Sequence, residues 1–116
     1  MDTILLVCCT APDPDTAREL ARTLVEERLA ACVNVVPGLR SLYRWQGKVH
    51  EDAEALLLLK TTAVRYQALQ ERLRALHPYE LPEIVAVPVS AGLPAYLEWV
   101  AAQTPVSYTH LRAHET

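Results

Sequence analysis

Residues 77–88 decide the fold, and they read His-Pro-Tyr-Glu-Leu-Pro-Glu-Ile-Val-Ala-Val-Pro. Pro78 cannot continue a helix. Pro78 and Pro82 each disfavour helical angles at the residue before them. The apolar run that follows is typical of a buried strand. We therefore predict a stiff loop between a helix and a strand, which is a common place for a functional site. The structural alternative is a helix end and a strand start whose polar side chains simply face water.

The chain on either side of this loop alternates between helical and extended patterns. We predict a first strand at 3–9, and a first helix that is capped by Asp13 and carries Pro14 at its first position. Two long extended runs at 31–45 and 49–61 are joined by a turn at 46–48, and Pro37-Gly38 predicts a kink or bulge in the earlier run. Thr62 caps a second helix, a fourth strand begins near Glu83, and a third helix covers 94–103.

This order of elements predicts an α+β fold. It is the ferredoxin-like β-α-β-β-α-β sandwich with an added C-terminal helix. Two main helices would cover one face of a four-stranded antiparallel sheet. The two long extended runs exceed the usual strand of about five or six residues, so we expect the hairpin to project beyond the sheet.

Length and composition indicate one globular domain. The chain has 116 residues, of which 51% are hydrophobic and 22% charged, and its net charge is −3. No basic block points to nucleic acid, and no apolar run is long enough to span a membrane. We assign the domain to residues 1–105. Residues 106–116 lack any periodicity that joins them to the rest, and we interpret them as a non-native tail.

The cysteines indicate a reducing compartment. They are Cys8, Cys9 and Cys32, an odd number without a C-x-x-C pair. We therefore expect a cytoplasmic protein.

Three segments are apolar at consecutive positions, namely 4–7, 56–59 and 84–87. A sheet with one face in water would alternate apolar with polar residues there. One short third helix cannot cover so large a second face, and large exposed apolar patches mark interfaces. The pattern predicts an obligate homo-oligomer in which the projecting hairpin rests on a neighbouring subunit.

The predicted topology also brings polar residues together. We expect the first and third strands to be parallel neighbours, with the fourth strand antiparallel beside the first. Cys9 and Thr10, then Lys60 and Thr61, then residues 79–83 would share one edge of the sheet. Converging titratable groups at such an edge predict a site.

Four segments resemble one family closely. They are Ala-Cys-Val-Asn-Val-Val-Pro-Gly at 31–38, Ser-Leu-Tyr-Arg-Trp-Gln-Gly-Lys at 41–48, Leu-Lys-Thr-Thr at 59–62 and Ala-Leu-His-Pro-Tyr-Glu-Leu-Pro-Glu-Ile at 75–84. The segment 9–13 and Tyr96-Leu97-x-Trp99 fit as well. Together they resemble the CutA family, the divalent-cation tolerance proteins, over residues 1 to about 105. The resemblance implies a ferredoxin-like subunit in a tight homotrimer, similar to the PII-type signal proteins, and a response to divalent metal ions, chiefly copper.

The resemblance also implies a copper site. The family's cysteine at the end of the first strand matches Cys9, and its histidine at the junction of helix and fourth strand matches His77. Leu76 stands where some members have a further histidine, and Glu83 is a candidate third ligand. Thiolate and imidazole suit copper or zinc, and we expect weak or labile binding. The structural alternatives are a buried Cys9 acting as a small hydrophobe and a His77 that interacts with the helix dipole.

A PII-like small-ligand sensor or scaffold is the second hypothesis. Clefts between subunits would be lined by Trp45, Lys60, Tyr79, Glu80 and Glu83. Lys60 would meet an anionic group and the rings would cover an apolar part of the ligand. The structural alternative is trimer packing with a lysine–carboxylate pair between subunits.

Catalysis is the third hypothesis, and the sequence does not favour it. We find no nucleophile elbow, phosphate-binding loop, dinucleotide fingerprint or metalloprotease helix. We therefore expect a protein that is not an enzyme.

Overall fold

The computed structural model describes residues 2–106, which form seven elements. The strands are β1 (Ile4–Ala11), β2 (Cys32–Trp45), β3 (Lys48–Thr62) and β4 (Ile84–Pro88). The helices are α1 (Pro14–Glu26), α2 (Ala63–Leu76) and α3 (Pro94–Gln103). Of the segment 106–116, only Val106 lies within the described residues. The interpretation of this segment as a non-native tail therefore stays a prediction. In the described part of the chain, no helix is long and apolar enough to cross a membrane.

The four strands form one sheet in the order β2-β3-β1-β4, and every neighbouring pair is antiparallel. The α+β architecture with its four-stranded antiparallel sheet is thus confirmed. The expected parallel pairing of the first and third strands is wrong, because Ile4 pairs with Thr62 and Ala11 pairs with Ala55. The C-terminal end of β3 therefore lies beside the N-terminal end of β1, at the opposite end of the sheet from Cys9.

The two main helices begin at side-chain caps. The Asp13 carboxylate accepts a hydrogen bond from the Thr16 amide at 2.7 Å, and Pro14 occupies the first turn of α1. The Thr62 hydroxyl accepts one from the Arg65 amide at 3.3 Å and starts α2. Such caps satisfy amides that have no partner inside the helix.

The helices bury their apolar sides against one face of the sheet. The fully buried core side chains include Val7, Leu24, Leu57, Leu59, Leu69 and Leu73. Strand register assigns Cys9 to this face, in one row with Leu57 and Ile84. On each strand, the residues that alternate with those of this row point to the other face of the sheet.

The other face of the sheet stays largely apolar and open in the subunit. Register places Cys8, Leu58 and Val85 in one row across this face, with Lys60, Leu6 and Val87 in the next. Val85 and Val87 are 54% and 53% exposed. Helix α3 packs its Val100 against Ile4 and Ala31 and leaves those valines uncovered.

The β2–β3 hairpin extends past the other strands. β1 pairs with β3 only as far as Ala55, so the hairpin from Lys48 to Glu54 has no further strand beside it. The register shifts between Val36 and Leu39, with Gly38 at φ +83°, so the predicted bulge is present. The hairpin closes through Gln46 and Gly47, which both have positive φ, as a two-residue turn of this kind requires.

Candidate functional site

An open cleft of about 790 Å³ lies where the hairpin meets the loop between α2 and β4. The hairpin contributes Ser41, Leu42, Tyr43, Trp45 and Glu54, the loop contributes residues 78–83, and Thr10 forms part of the floor. The cleft is within the size range of small-molecule sites. The loop predicted from its prolines thus forms one wall of a ligand-sized cleft.

His77 ties this wall to the end of β1. It ends α2 with an extended backbone, at φ −72° and ψ 138°, as the proline after it favours. The Tyr79 amide donates to Nδ1 of His77 at 3.1 Å, so the other ring nitrogen carries the proton. That Nε2–H donates to the carbonyl oxygen of Thr10 at 2.7 Å. His77 is only 7% exposed, so both nitrogens are engaged inside the protein.

Tyr79 links the same wall to the hairpin. Its ring packs on the imidazole of His77, with centroids 4.8 Å apart. Its hydroxyl donates to Oε2 of Glu54 at 2.7 Å. Partial burial and this hydrogen bond raise the pKa of Tyr79 well above its ordinary value. The phenol therefore stays protonated and keeps the loop and the hairpin in contact.

Cys9 precedes Thr10, a residue that lines the cleft, and carries a buried thiol. Its side chain has no exposed surface, and its Sγ donates weakly to the Thr10 carbonyl oxygen at 3.6 Å. Burial raises the pKa of Cys9 to about 12, and the negative charges of Glu83 and Glu54 contribute. Cys9 and His77 thus share one hydrogen-bond acceptor, the carbonyl oxygen of Thr10.

The three predicted ligands do not form a metal-binding cluster in the subunit. Across residues 2–106, no group of three or more His, Cys, Asp or Glu side chains is arranged to hold an ion. The thiol of Cys9 is protonated and both nitrogens of His77 have partners, whereas a metal needs a thiolate and a free imidazole nitrogen. Glu83 lines the cleft and directly precedes Ile84, the residue that pairs with Cys9. This donor set does not fit a resident ion.

Of the five residues predicted to line clefts between subunits, four line this one cavity of the subunit, namely Trp45, Tyr79, Glu80 and Glu83. Lys60 does not, because the antiparallel pairing puts it beside Leu6, where its ammonium donates to the Asn34 side chain. Sequence reasoning missed Tyr43 and Glu54. The correct register would have identified Glu54, which stands one residue beyond the Ala55 that pairs with the end of β1.

Fold and cleft together define a ferredoxin-like subunit with a projecting hairpin and a ligand-sized cavity beneath it. The family model of the CutA1 divalent ion tolerance protein matches residues 5–103. The chain therefore belongs to the CutA family of divalent-cation tolerance proteins.

Individual relatives agree with this assignment. The divalent-cation tolerance protein CutA of Thermus thermophilus is 55% identical over 104 residues, which cover 90% of this chain and 99% of that protein. The mouse protein CutA is 50% identical over 91 residues, which cover 78% of this chain and 51% of the mouse protein.

Solved structures show the same fold. The Thermus thermophilus divalent cation tolerance protein superposes with a TM-score of 0.86 at 55% identity and covers 88% of this chain and 99% of that one. CutA1 of Oryza sativa superposes with a TM-score of 0.88 at 42% identity and covers 91% of this chain and 97% of that one.

Proposed function

We propose that this protein acts in tolerance of divalent cations as a homotrimer that binds copper weakly and reversibly. The observation that carries the proposal is the meeting of Cys9 and His77 at the Thr10 carbonyl, next to the cleft that Glu83 lines. Copper would have to displace the proton of Cys9 and a hydrogen bond of His77. That competition favours labile contact over tight structural binding.

The proposed trimer is supported by surfaces that a lone subunit leaves uncovered. Val85 and Val87 are more than half exposed on the open sheet face, and Leu42 and Val49 on the hairpin are 66% and 64% exposed. Within residues 2–106, the outer strands β2 and β4 each have one edge without a neighbouring strand. Neighbouring copies would cover these features, since exposed edges and contiguous apolar patches favour association.

We also propose a role in binding rather than catalysis, and a cytoplasmic location. All three cysteines are free thiols, which suits a reducing compartment.

Calorimetric copper titration of the intact protein tests the metal proposal. Cys9→Ala and His77→Ala should each weaken binding and keep the wild-type assembly mass. Cys32→Ala is the matched control, because it removes a thiol at the other end of the sheet, where Cys32 pairs with Lys60. If Cys9→Ala and His77→Ala bind as tightly as the wild type, or if Cys32→Ala alone abolishes binding, the proposed site is wrong.

A second candidate function is small-ligand sensing through the cleft. The specific observation in its favour is the aromatic and acidic lining of one ligand-sized cavity, with Trp45 at the hairpin and Tyr79 on the loop. The hydrogen bond from the Tyr79 hydroxyl to Glu54 joins the loop to the hairpin. A ligand that bridged them would change the position of the hairpin on its neighbour, so occupancy could be transmitted across the trimer.

A further inference from the structure

The charge of the cleft selects the class of ligand. Glu54, Glu80 and Glu83 line it, and no lysine, arginine or histidine is among its lining residues in the described chain. The ion pairs found within residues 2–106 join Arg18 to Asp15, Arg40 to Glu51 and Arg72 to Glu27, so none neutralises a carboxylate of the cleft.

Within the described residues, no basic side chain lines the cleft to meet an anionic ligand. Lys60, the basic residue expected there from the sequence, lies beside Leu6 in the antiparallel register.

Aromatic rings distinguish an organic cation from a bare metal ion. Tyr43, Trp45 and Tyr79 line the same cavity as the carboxylates, and Tyr43 and Trp45 expose 42% and 37% of their surface. The faces of such rings attract ammonium groups, most strongly for tryptophan. The carboxylates of the cleft do not form a metal-binding cluster with other ligands in the described residues.

We propose that the cleft binds a small organic cation, a compact amine with two ammonium groups. One ammonium group would contact the rings of Trp45 and Tyr79, and the second would contact the carboxylates of Glu80 and Glu83. This inference rests on the proposal that the cleft is a ligand site, and it does not depend on copper binding at Cys9 and His77. It replaces the anionic ligand that Lys60 suggested.

The test uses three probes of equal chain length, namely 1,4-diaminobutane as dication, 1,4-butanediol as neutral isostere and succinate as dianion. Trp45 is the fluorescent reporter in a Trp99→Phe background, once light scattering has shown that this background keeps the wild-type mass. The dication should produce a saturable change in Trp45 emission at constant ionic strength. The diol and the dianion should produce none.

Removing single negative charges tests whether the diamine binds at the carboxylates of the cleft. Glu80→Gln and Glu83→Gln should each weaken the apparent affinity for the diamine by up to about fivefold, the range of an exposed ion pair. Glu19→Gln, the same charge change on the exposed side of α1, should leave it unchanged.

Three results would overturn the inference: no saturable response to the diamine, an equal response to the diol, or an equal loss in Glu19→Gln. Saturable binding of succinate instead would overturn the cationic class and support the cleft as a ligand site. Copper titration of the same samples reports on the metal proposal separately.

Discussion

His77 and Thr10 are 67 positions apart in the chain, yet Nε2 of His77 donates a 2.7 Å hydrogen bond to the Thr10 carbonyl oxygen. This contact joins the end of α2 to the end of β1. It also fixes the imidazole tautomer and orients the loop that forms the cleft wall. The residue that the family resemblance assigns to copper is therefore already part of the internal hydrogen-bond network.

Replacing His77 by alanine should lower the free energy of unfolding by about 2–4 kcal/mol, because it leaves the Tyr79 amide and the Thr10 carbonyl without their partner. Chemical denaturation at fixed protein concentration measures this. His50→Ala is the control, since His50 is less buried and stacks on Tyr43, and it should cost less than about 1 kcal/mol. Equal costs for the two variants would mean that the His77 contacts contribute little.

Cys9 should make the protein sensitive to alkali. Its pKa in the folded state, about 12, lies above the ordinary thiol value of 9.0, so the folded protein holds this proton more tightly than the unfolded chain. The corresponding stability is fully present below about pH 9 and is lost as pH rises from 9 to 12, with a slope of at most about 1.4 kcal/mol per pH unit.

Comparison with Cys9→Ala isolates this titration from that of other groups. The stability difference between wild type and variant should shrink as pH rises through this window. A difference that stays constant up to the alkaline limit of the measurement would show that the thiol is not desolvated as described.

Substituting Val85 by aspartate should dissociate the proposed trimer, because the carboxylate would be buried against a neighbouring subunit. Light scattering should give three chain masses for the wild type and a smaller mass for the variant. Val64→Asp is a matched control on α2, where Val64 is 62% exposed compared with 54% for Val85. A monomeric wild type, or an intact Val85→Asp trimer, would contradict the proposed assembly.

Gly47→Val should destabilise the hairpin tip. Gly47 has φ +79° with open space around it, so the cost comes from the backbone angle rather than from a clash. We expect about 1–2 kcal/mol. Lys48→Val introduces the same side chain one residue later, at an extended position that pairs with Trp45, and should be nearly neutral. Thermal unfolding of both variants decides this, and equal melting temperatures would contradict the assigned turn.

Local sequence signals predicted the elements well because each depends on neighbouring residues. Pro78 ends α2, Asp13 and Thr62 begin the two main helices, and the Pro37-Gly38 pair marks the bulge. The two-residue turn at Gln46 and Gly47 follows from the same kind of signal. Such features need no knowledge of distant contacts.

The direction of strand pairing was the part that local reasoning got wrong. An apolar run such as 56–59 predicts a strand without fixing which way it lies against β1. The assumed parallel pairing put Lys60 at the cleft, and the antiparallel register puts Glu54 there instead. The direction of this one strand pair decides whether a lysine or a glutamate lies at the cleft, because side-chain placement depends on register over the whole sheet. The expected ligand therefore changes from an anion to a cation.

The imidazole of His77 reports directly on whether copper binds this protein by displacing the internal contacts of Cys9 and His77. Long-range proton–nitrogen NMR correlation reads the tautomer of each histidine. In the metal-free protein His77 should be neutral with its proton on Nε2, and addition of diamagnetic copper(I) should change its pattern while that of His50 stays the same. A free or doubly protonated His77 in the metal-free protein, or a His77 pattern that saturating copper(I) leaves unchanged, would contradict the account.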